Sequence, residues 1–264
     1  EHPEYFVNNA TVENYYTAYV ANHRDFKQQV PAAYGMANTR WGKLQLQAGV
    51  RWERTETDSK EFDPLTATEV QRAGYAISTT TRRATTIAGM NYQFLSNPQV
   101  TRTGVYDDFF PSASLKYSIR PDFQAQVGYA HAISRPPVDA LSGVWNVNEV
   151  AKVVTAPNPD LLPERSNNYV ARLAWYFEPV GSLTILGQQT EISNQRVSTR
   201  ISAADFGYAS DPEYADYEFQ SFANRSDVYR YRSLELSYNQ QLSFLPLFLR
   251  GTSVGLSYTR NYAN

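Results

Sequence analysis

Hydrophobic and polar residues alternate position by position through several stretches of the chain. In Pro111–Ile119 the odd positions are Pro, Ala, Leu, Tyr and Ile, and the even positions are Ser, Ser, Lys and Ser. After a turn at Arg120-Pro121-Asp122 the alternation resumes, with Phe123, Ala125, Val127 and Tyr129 on one row. Successive side chains of a strand point to opposite faces, so each such run predicts a strand with one greasy and one wet side. The cleanest example sets Leu44, Leu46, Ala48, Val50 and Trp52 against Gln45, Gln47, Gly49, Arg51 and Glu53. Others run through Tyr169–Phe177, Leu234–Leu242 and Val254–Tyr258. A first strand is predicted over 26–38, with Val30, Ala32, Tyr34 and Met36 on one row. Pro31 has no N–H for a ladder and marks a strand start or a bulge there.

The connections between these runs alternate in length. Short turns at 41–43, 120–122, 178–181 and 245–249 separate long loops at 58–106, 135–165 and 198–228. Residues 1–25 show no alternation and read as loop, with a short helix over Glu13–Ala21 capped by Asn8 or Thr11. A strand-like piece from Arg83 to Phe94 predicts a hairpin inside the first long loop. Outer-membrane barrels show this asymmetry of short periplasmic turns and long external loops, whereas a soluble sandwich has little reason to. The predicted fold is therefore all-β: part of an antiparallel transmembrane β-barrel, with about 8–10 strands present, as one fragment of a single barrel domain.

Composition sharpens this picture at a few points. No run approaches the roughly 18 apolar residues of a membrane-spanning helix. The mean hydropathy of -0.50 does not argue for a soluble protein, because only every second residue of a barrel strand meets lipid. The 20 Tyr, 13 Phe and 4 Trp suit aromatic girdles at the membrane interfaces. A net charge of -2 carries no nucleic-acid footprint. With no cysteine and only three histidines, none at ligand spacing, no metal site or cofactor is expected. The chain opens on Glu1-His2-Pro3 without a charged-then-apolar leader, which reads as a mature form or an internal fragment.

Four segments, in order, carry more than barrel grammar. They are Gly49-Val50-Arg51-Trp52-Glu53-Arg54-Thr55, then Phe110-Pro111-Ser112-Ala113-Ser114-Leu115, then Ser134-Arg135-Pro136, then Asn158-Pro159-Asp160-Leu161-Leu162-Pro163-Glu164. The series resembles the C-terminal part of the barrel of TonB-dependent outer-membrane receptors. The resemblance covers about residues 26–264 and implies a barrel of about 22 strands. It also implies a plug domain, not recognisable here, and coupling through that plug to the TonB motor protein. What it implies functionally is energy-coupled uptake of a scarce nutrient, carbohydrate or siderophore in class, across the bacterial outer membrane. Outer-membrane lipid would be a further partner.

No nucleophile–base arrangement, phosphate loop or dinucleotide motif occurs, so no catalytic residue is assigned and no enzyme is expected. The competing reading is a passive porin or a barrel enzyme. Loop aromatics Trp145, Phe206, Tyr208, Tyr214 and Tyr217 suit stacking on a small-molecule or oligosaccharide ligand, and the carboxylates among them read as a solvated acidic loop. Arg51, Glu53 and Arg172 lie on wet rows and are expected to face the lumen, pairing with the wall or the plug. Glu164 and Arg165 are expected at a salt-bridged rim.

Overall fold

The computed structural model describes residues 11–178, 180–205, 214–243, 245–249 and 251–263. Eight strands make the wall, β1 (Asp25–Gln29) and β2 (Ala32–Trp41) together acting as its first; the others are β3 (Leu44–Glu61), β4 (Val100–Arg120), β5 (Phe123–Ser134), β8 (Glu164–Phe177), β9 (Gly181–Ser193), β12 (Tyr229–Gln241) and β13 (Ser253–Ala263). They form one antiparallel sheet in chain order, left open at both edges. β1 and β2 keep a single register against β3, with Asp25 opposite Lys60 and Ala32 opposite Glu53. Pro31 interrupts the ladder between them, yet its carbonyl still accepts from Arg54 N at 3.0 Å. No bulge forms: the proline removes one donor and nothing else.

The turn from β2 to β3 needs Gly42 at φ +57°, a conformation in which a Cβ is strained. β3 and β4, at 18 and 21 residues, are longer than the roughly 9–11 needed to cross a bilayer. They therefore project beyond it. The first long loop is accordingly shorter than the sequence suggests, spanning 62–99.

The greasy rows meet across every strand pair. Tyr258 faces Leu236, which faces Ile185, then Leu173, Ala125, Tyr117 and finally Leu44. Leu44 is the bottom of the apolar row on β3, and Trp52, eight residues higher (52 − 44), is its top. On β13 the same cross-strand row marks the top, since Arg260 follows Tyr258 on the outward row. The greasy band thus steps along the ladder as it circles the sheet, as strands tilted to a barrel axis require. These rows are not packed on anything. Among the described residues, the one buried hydrophobic residue that belongs to the wall is Ala174. Phe109 is 61 % and Val50 48 % exposed, so lipid is the solvent that fits the row. Trp52 Nε1 donates to Asp107 and Trp175 Nε1 to Asp122, each at 3.1 Å, which gives both interface tryptophans a polar partner at opposite ends of the band.

On the first wall strand, Ala32, Tyr34 and Met36 do share a row, but Tyr34 lies opposite Arg51 and Met36 opposite Gly49, so this row faces the lumen. The outward row is Ala33, Gly35, Ala37, Thr39 and Trp41. Register to β3 overrides the local hydropathy of the strand.

The buried apolar residues sit in the extracellular segments. A helical subdomain joins α1 (Val12–Tyr16), a π-helical turn at Thr17–Ala21, α2 (Ala67–Arg72) and α3 (Ile87–Leu95) around Tyr16, Val20, Val70, Ala84, Met90 and Phe94. Thr11 caps α1, accepting from Asn14 N at 3.1 Å; Asn8 lies outside the described residues. The hairpin expected over 83–94 is instead α3: Thr86 accepts from Gly89 N at 3.1 Å, and Met90 and Phe94 share its buried face. A three-to-four residue spacing beats the β-propensity of the threonines. A second, four-stranded sheet orders β10 (Arg196–Ser202), β11 (Glu218–Asn224), β7 (Val153–Thr155) and β6 (Asn146–Asn148). A single turn of helix, α4 (Val138–Leu141), precedes it.

Lipid exposure of the greasy row leads to a sharp contrast between neighbours. Leu115→Arg should destabilise the wall by about 2–4 kcal/mol, while Ser114→Arg, one residue away on the lumen row, should cost under about 1 kcal/mol. Urea unfolding in lipid vesicles measures both, and equal effects would refute the assignment of faces.

Candidate functional site at the extracellular end

Two carboxylate–arginine sets stand at the top of the wall. Arg51 Nε donates to Glu53 at 2.5 Å, and Arg135 also reaches the Glu53 carboxylate while donating to Thr55 Oγ1 at 3.1 Å. Glu53 is largely buried by these partners. Across the ladder from Glu53, Asp108 is 6 % exposed and accepts from Arg165 Nε at 2.9 Å. Glu164 accepts from Arg196 N at 2.7 Å. Arg51 and Glu53 are thus paired, with Arg135 of the Ser-Arg-Pro segment on the same carboxylate, and the rim at 164–165 carries one ion pair, Arg165 with Asp108, while Glu164 is held by a backbone N–H. Arg172, opposite Gln126 and Leu186 on the lumen row, is exposed and forms no ion pair among the described residues.

The three long loops fold together above this rim. In the first, a capping box between Thr66 and Glu69 starts α2. Gln93, buried, accepts from Ala84 N at 2.9 Å and donates to Arg82 O at 3.0 Å, which fixes the segment before α3. Gly89 packs so tightly there that a Cβ would lie 2.8 Å from that of Ala84. Arg82 itself is held at φ 52°, and Lys152 of the second loop at φ 53°. For residues with a Cβ this conformation costs about 1–2 kcal/mol each.

Both strained cations converge on one carboxylate and one phenol. Arg82 ion-pairs with Glu149, and Lys152 reaches the same carboxylate at 3.2 Å. Lys152 Nζ also donates to the Tyr217 hydroxyl at 3.2 Å and lies 4.5 Å from its ring centroid. Arg82 lies 5.7 and 5.8 Å from the Tyr217 and Tyr214 rings. The backbone joins in, Glu149 N donating to Thr80 O at 3.1 Å and Glu218 N to Lys152 O at 2.9 Å. Burial would raise the Glu149 carboxyl, but hydrogen bonds from Tyr217 and Lys152 and the charge of Arg82 more than offset it and hold it below its ordinary value. Burial, and then the hydrogen bond to Glu149, push the Tyr217 phenol up.

Three of the loop aromatics come together here, but as packing. Tyr217 is 2 % exposed, and Trp145 stands edge-on to Phe219 at 5.4 Å and to Tyr214 at 5.8 Å. With Val154, Ala156 and Ala203 they form the core of the small sheet. Phe206 and Tyr208, and the carboxylates Asp211 and Glu213, lie outside the described residues. Asp216 pairs with Lys152 at 3.6 Å and Glu218 with Arg200 at 3.7 Å. Trp145 and Tyr214 nevertheless present part of their surface to a cavity of about 350 Å³ between the small sheet and the helical subdomain, whose far wall includes Phe62, Glu61, Arg83 and Phe94. That volume falls in the range of small-molecule sites. Sequence reasoning missed Arg82, Glu149 and Lys152, since no short motif contains them.

An open antiparallel wall, greasy outside and wet inside, carrying short turns at one end and a folded cap at the other, defines a segment of an outer-membrane β-barrel. The family model described as "TonB dependent receptor-like, beta-barrel" matches residues 3–264, and the chain belongs to that family. It is an outer-membrane protein of Gram-negative bacteria. Among solved structures it is similar to the ferric-catecholate import receptor Fiu from K12 E. coli, with 15% identity, TM-score 0.52, and coverage of 91% of this chain and 28% of that one. It is also similar to the copper transporter OprC, at 13% identity and TM-score 0.51, over 90% of this chain and 30% of that one. The chain thus spans less than a third of the length of either, and the likeness is one of fold. No curated protein matches.

The depressed Glu149 carboxyl stabilises the cap above its ordinary value of 4.5, and that contribution is lost as pH falls through the lower, folded value. Hydrogen exchange at residues 80–84 and 149–155 should accelerate on acidification below about 4.5 while the wall stays protected. Glu149→Ala should reproduce the loosening at neutral pH, lowering local opening energy by about 1–3 kcal/mol; unchanged exchange in the variant would rule out the junction as a clamp.

Proposed function

We propose that this chain is the extracellular-loop-bearing part of a receptor that takes up a scarce nutrient by energy-coupled import. The observation that carries the reading is the family membership of a wall whose long loops fold into a cap with its own core. A passive pore has no need of such a cap. In this reading the lumen rows, with Arg51 and Glu53 braced at the rim and Arg172 without an ion pair among the described residues, face a plug domain contributed by the rest of the protein, and the TonB protein acts through that plug.

The ligand is a small molecule, siderophore or carbohydrate in class, captured at the outer end. Loop aromatics serve it in two ways. Phe206 and Tyr208 are proposed as contact residues for a ring-bearing ligand, with Trp145 and Tyr214 contributing from the cavity wall. Tyr217 supports them from within the core. No step of bond making or breaking is assigned to the chain; the work it does is binding and passage.

The test is uptake in cells carrying the protein as their only route for a given nutrient. Accumulation of a ferric siderophore or of an oligosaccharide should stop when a protonophore depolarises the inner membrane. Phe206→Ala combined with Tyr208→Ala should weaken ligand binding by about tenfold, as loss of aromatic contacts worth roughly 1–1.5 kcal/mol implies. Uptake indifferent to depolarisation would make the protein a passive pore and defeat the proposal.

A further inference from the structure

On β9, β12 and β13 the outward row changes character over three successive cross-strand rows. The lowest runs Gly187–Leu234–Arg260, the next Gln189–Arg232–Tyr262, and the uppermost Glu191–Arg230. Below them the outward residues are Ile185, Leu236 and Tyr258, and then Leu183, Tyr238 and Leu256. Exposure alternates over residues 229–237 of β12, with the even, outward positions the more exposed, as expected for the convex side of a curved sheet. Arg230, Arg232 and Arg260 are all exposed on that side, immediately above the greasy band.

Their charges are poorly matched by the protein. Arg230 Nε donates to Glu191 at 3.1 Å. Arg232 Nε donates at 2.8 Å to Gln189 Oε1, a neutral acceptor, and the Arg260 guanidinium lies 4.7 Å from the Tyr262 ring centroid. Neither Arg232 nor Arg260 forms an ion pair among the described residues. Diagonal neighbours on paired strands are separated by about 7–8 Å, a distance that arginine side chains span easily. Only Arg232 and Arg260 are such diagonal neighbours, while Arg230 stands two residues above Arg232 on the same strand. Arg232 and Arg260 can therefore share one tetrahedral anion in bidentate fashion, with Arg230 flanking it from above.

The height of the cluster selects the anion. A cation facing outward at the upper edge of an apolar belt meets lipid headgroups, and a phosphate held there has its acyl chains running down over Leu234, Leu236, Ile185 and Leu256. We propose that Arg230, Arg232 and Arg260, with Tyr262 and Gln189 beside them, form a binding site for the phosphate of an outer-leaflet lipid headgroup. The proposal rests on the membrane-facing assignment of this row and is independent of the imported ligand. Basic clusters at membrane interfaces recognise anionic headgroups by the same chemistry.

The probe is bisphosphorylated lipid A offered in nanodiscs to the whole outer-membrane protein, with retained lipid measured by native mass spectrometry. The triple variant Arg230→Gln/Arg232→Gln/Arg260→Gln should retain at least tenfold less than the unaltered protein. The triple Arg→Lys variant should retain an intermediate amount. Arg54→Gln, which removes an outward cation already paired with Glu56 at 2.7 Å, should leave retention unchanged. Dephosphorylated lipid A should bind all four proteins alike, and millimolar inorganic phosphate should not compete. Undiminished retention by the triple Gln variant, an equal loss in Arg54→Gln, or displacement by free phosphate would each overturn the site. Heat-modifiable gel mobility shows whether each variant has folded and inserted; failure of the unaltered protein to insert would instead overturn the membrane-facing assignment itself.

Discussion

Inside a bilayer every backbone N–H and C=O must find a partner within the protein, because neither lipid nor water supplies one there. The ladder between neighbouring strands is this chain's answer, and the rest follows from it. A ladder forces side chains to alternate, so one row of each strand goes to lipid and the other to the lumen. Continuous pairing along the wall, from β1 and β2 through β3, β4, β5, β8, β9 and β12 to β13, then aligns those rows into two faces of opposite character. Pro31 shows how firmly the constraint holds, since the strand accepts a missing donor without shifting its register. Closing the ladder on itself requires tilt, and tilt explains why the greasy band slides eight positions (52 − 44) between β3 and β13.

Because lipid accepts the apolar rows, the wall has no interior to fill. Burial is left to the cap, where the hydrophobic effect organises two small cores. Each is modest for a free-standing unit, and the Arg82–Glu149–Lys152–Tyr217 junction joins them by charge and ring contact. Two cations in left-handed backbone conformations persist there because the surroundings over-determine them. The junction of the cap is thus held by polar contacts that respond to protonation, while below its rim the wall is held by a backbone ladder that does not.

The division also explains what the sequence revealed. A period of two survives in the residue string, so wall strands, short turns and long loops were legible. The first strand misled because its lumen row, with Tyr34 and Met36, is greasier than its outward row of Ala33, Gly35 and Ala37. The six-residue α2 and nine-residue α3 are too short for a helical period to stand out among threonines. A usable signal was present in Thr66-Ala67-Thr68-Glu69, whose Thr-x-x-Glu spacing is that of a capping box. Loop aromatics such as Tyr217 carry no local mark that separates a core residue from a ligand contact; only the partners, distant in sequence, decide.

The upper edge of the belt is where these two regimes meet, and its chemistry differs around the sheet. On β3 and β4 the transition is neutralised at once, with Arg54 between Glu56 and Asp107. On the β9–β12–β13 side, arginines outnumber carboxylates at the same level. Belt residues are constrained only to be apolar, and lumen residues to be wet, whereas an outward cation above the belt is constrained by neither. An uneven charge distribution at that level is what a surface meeting anionic headgroups calls for, and it is this match between height and charge that the proposed lipid site rests on.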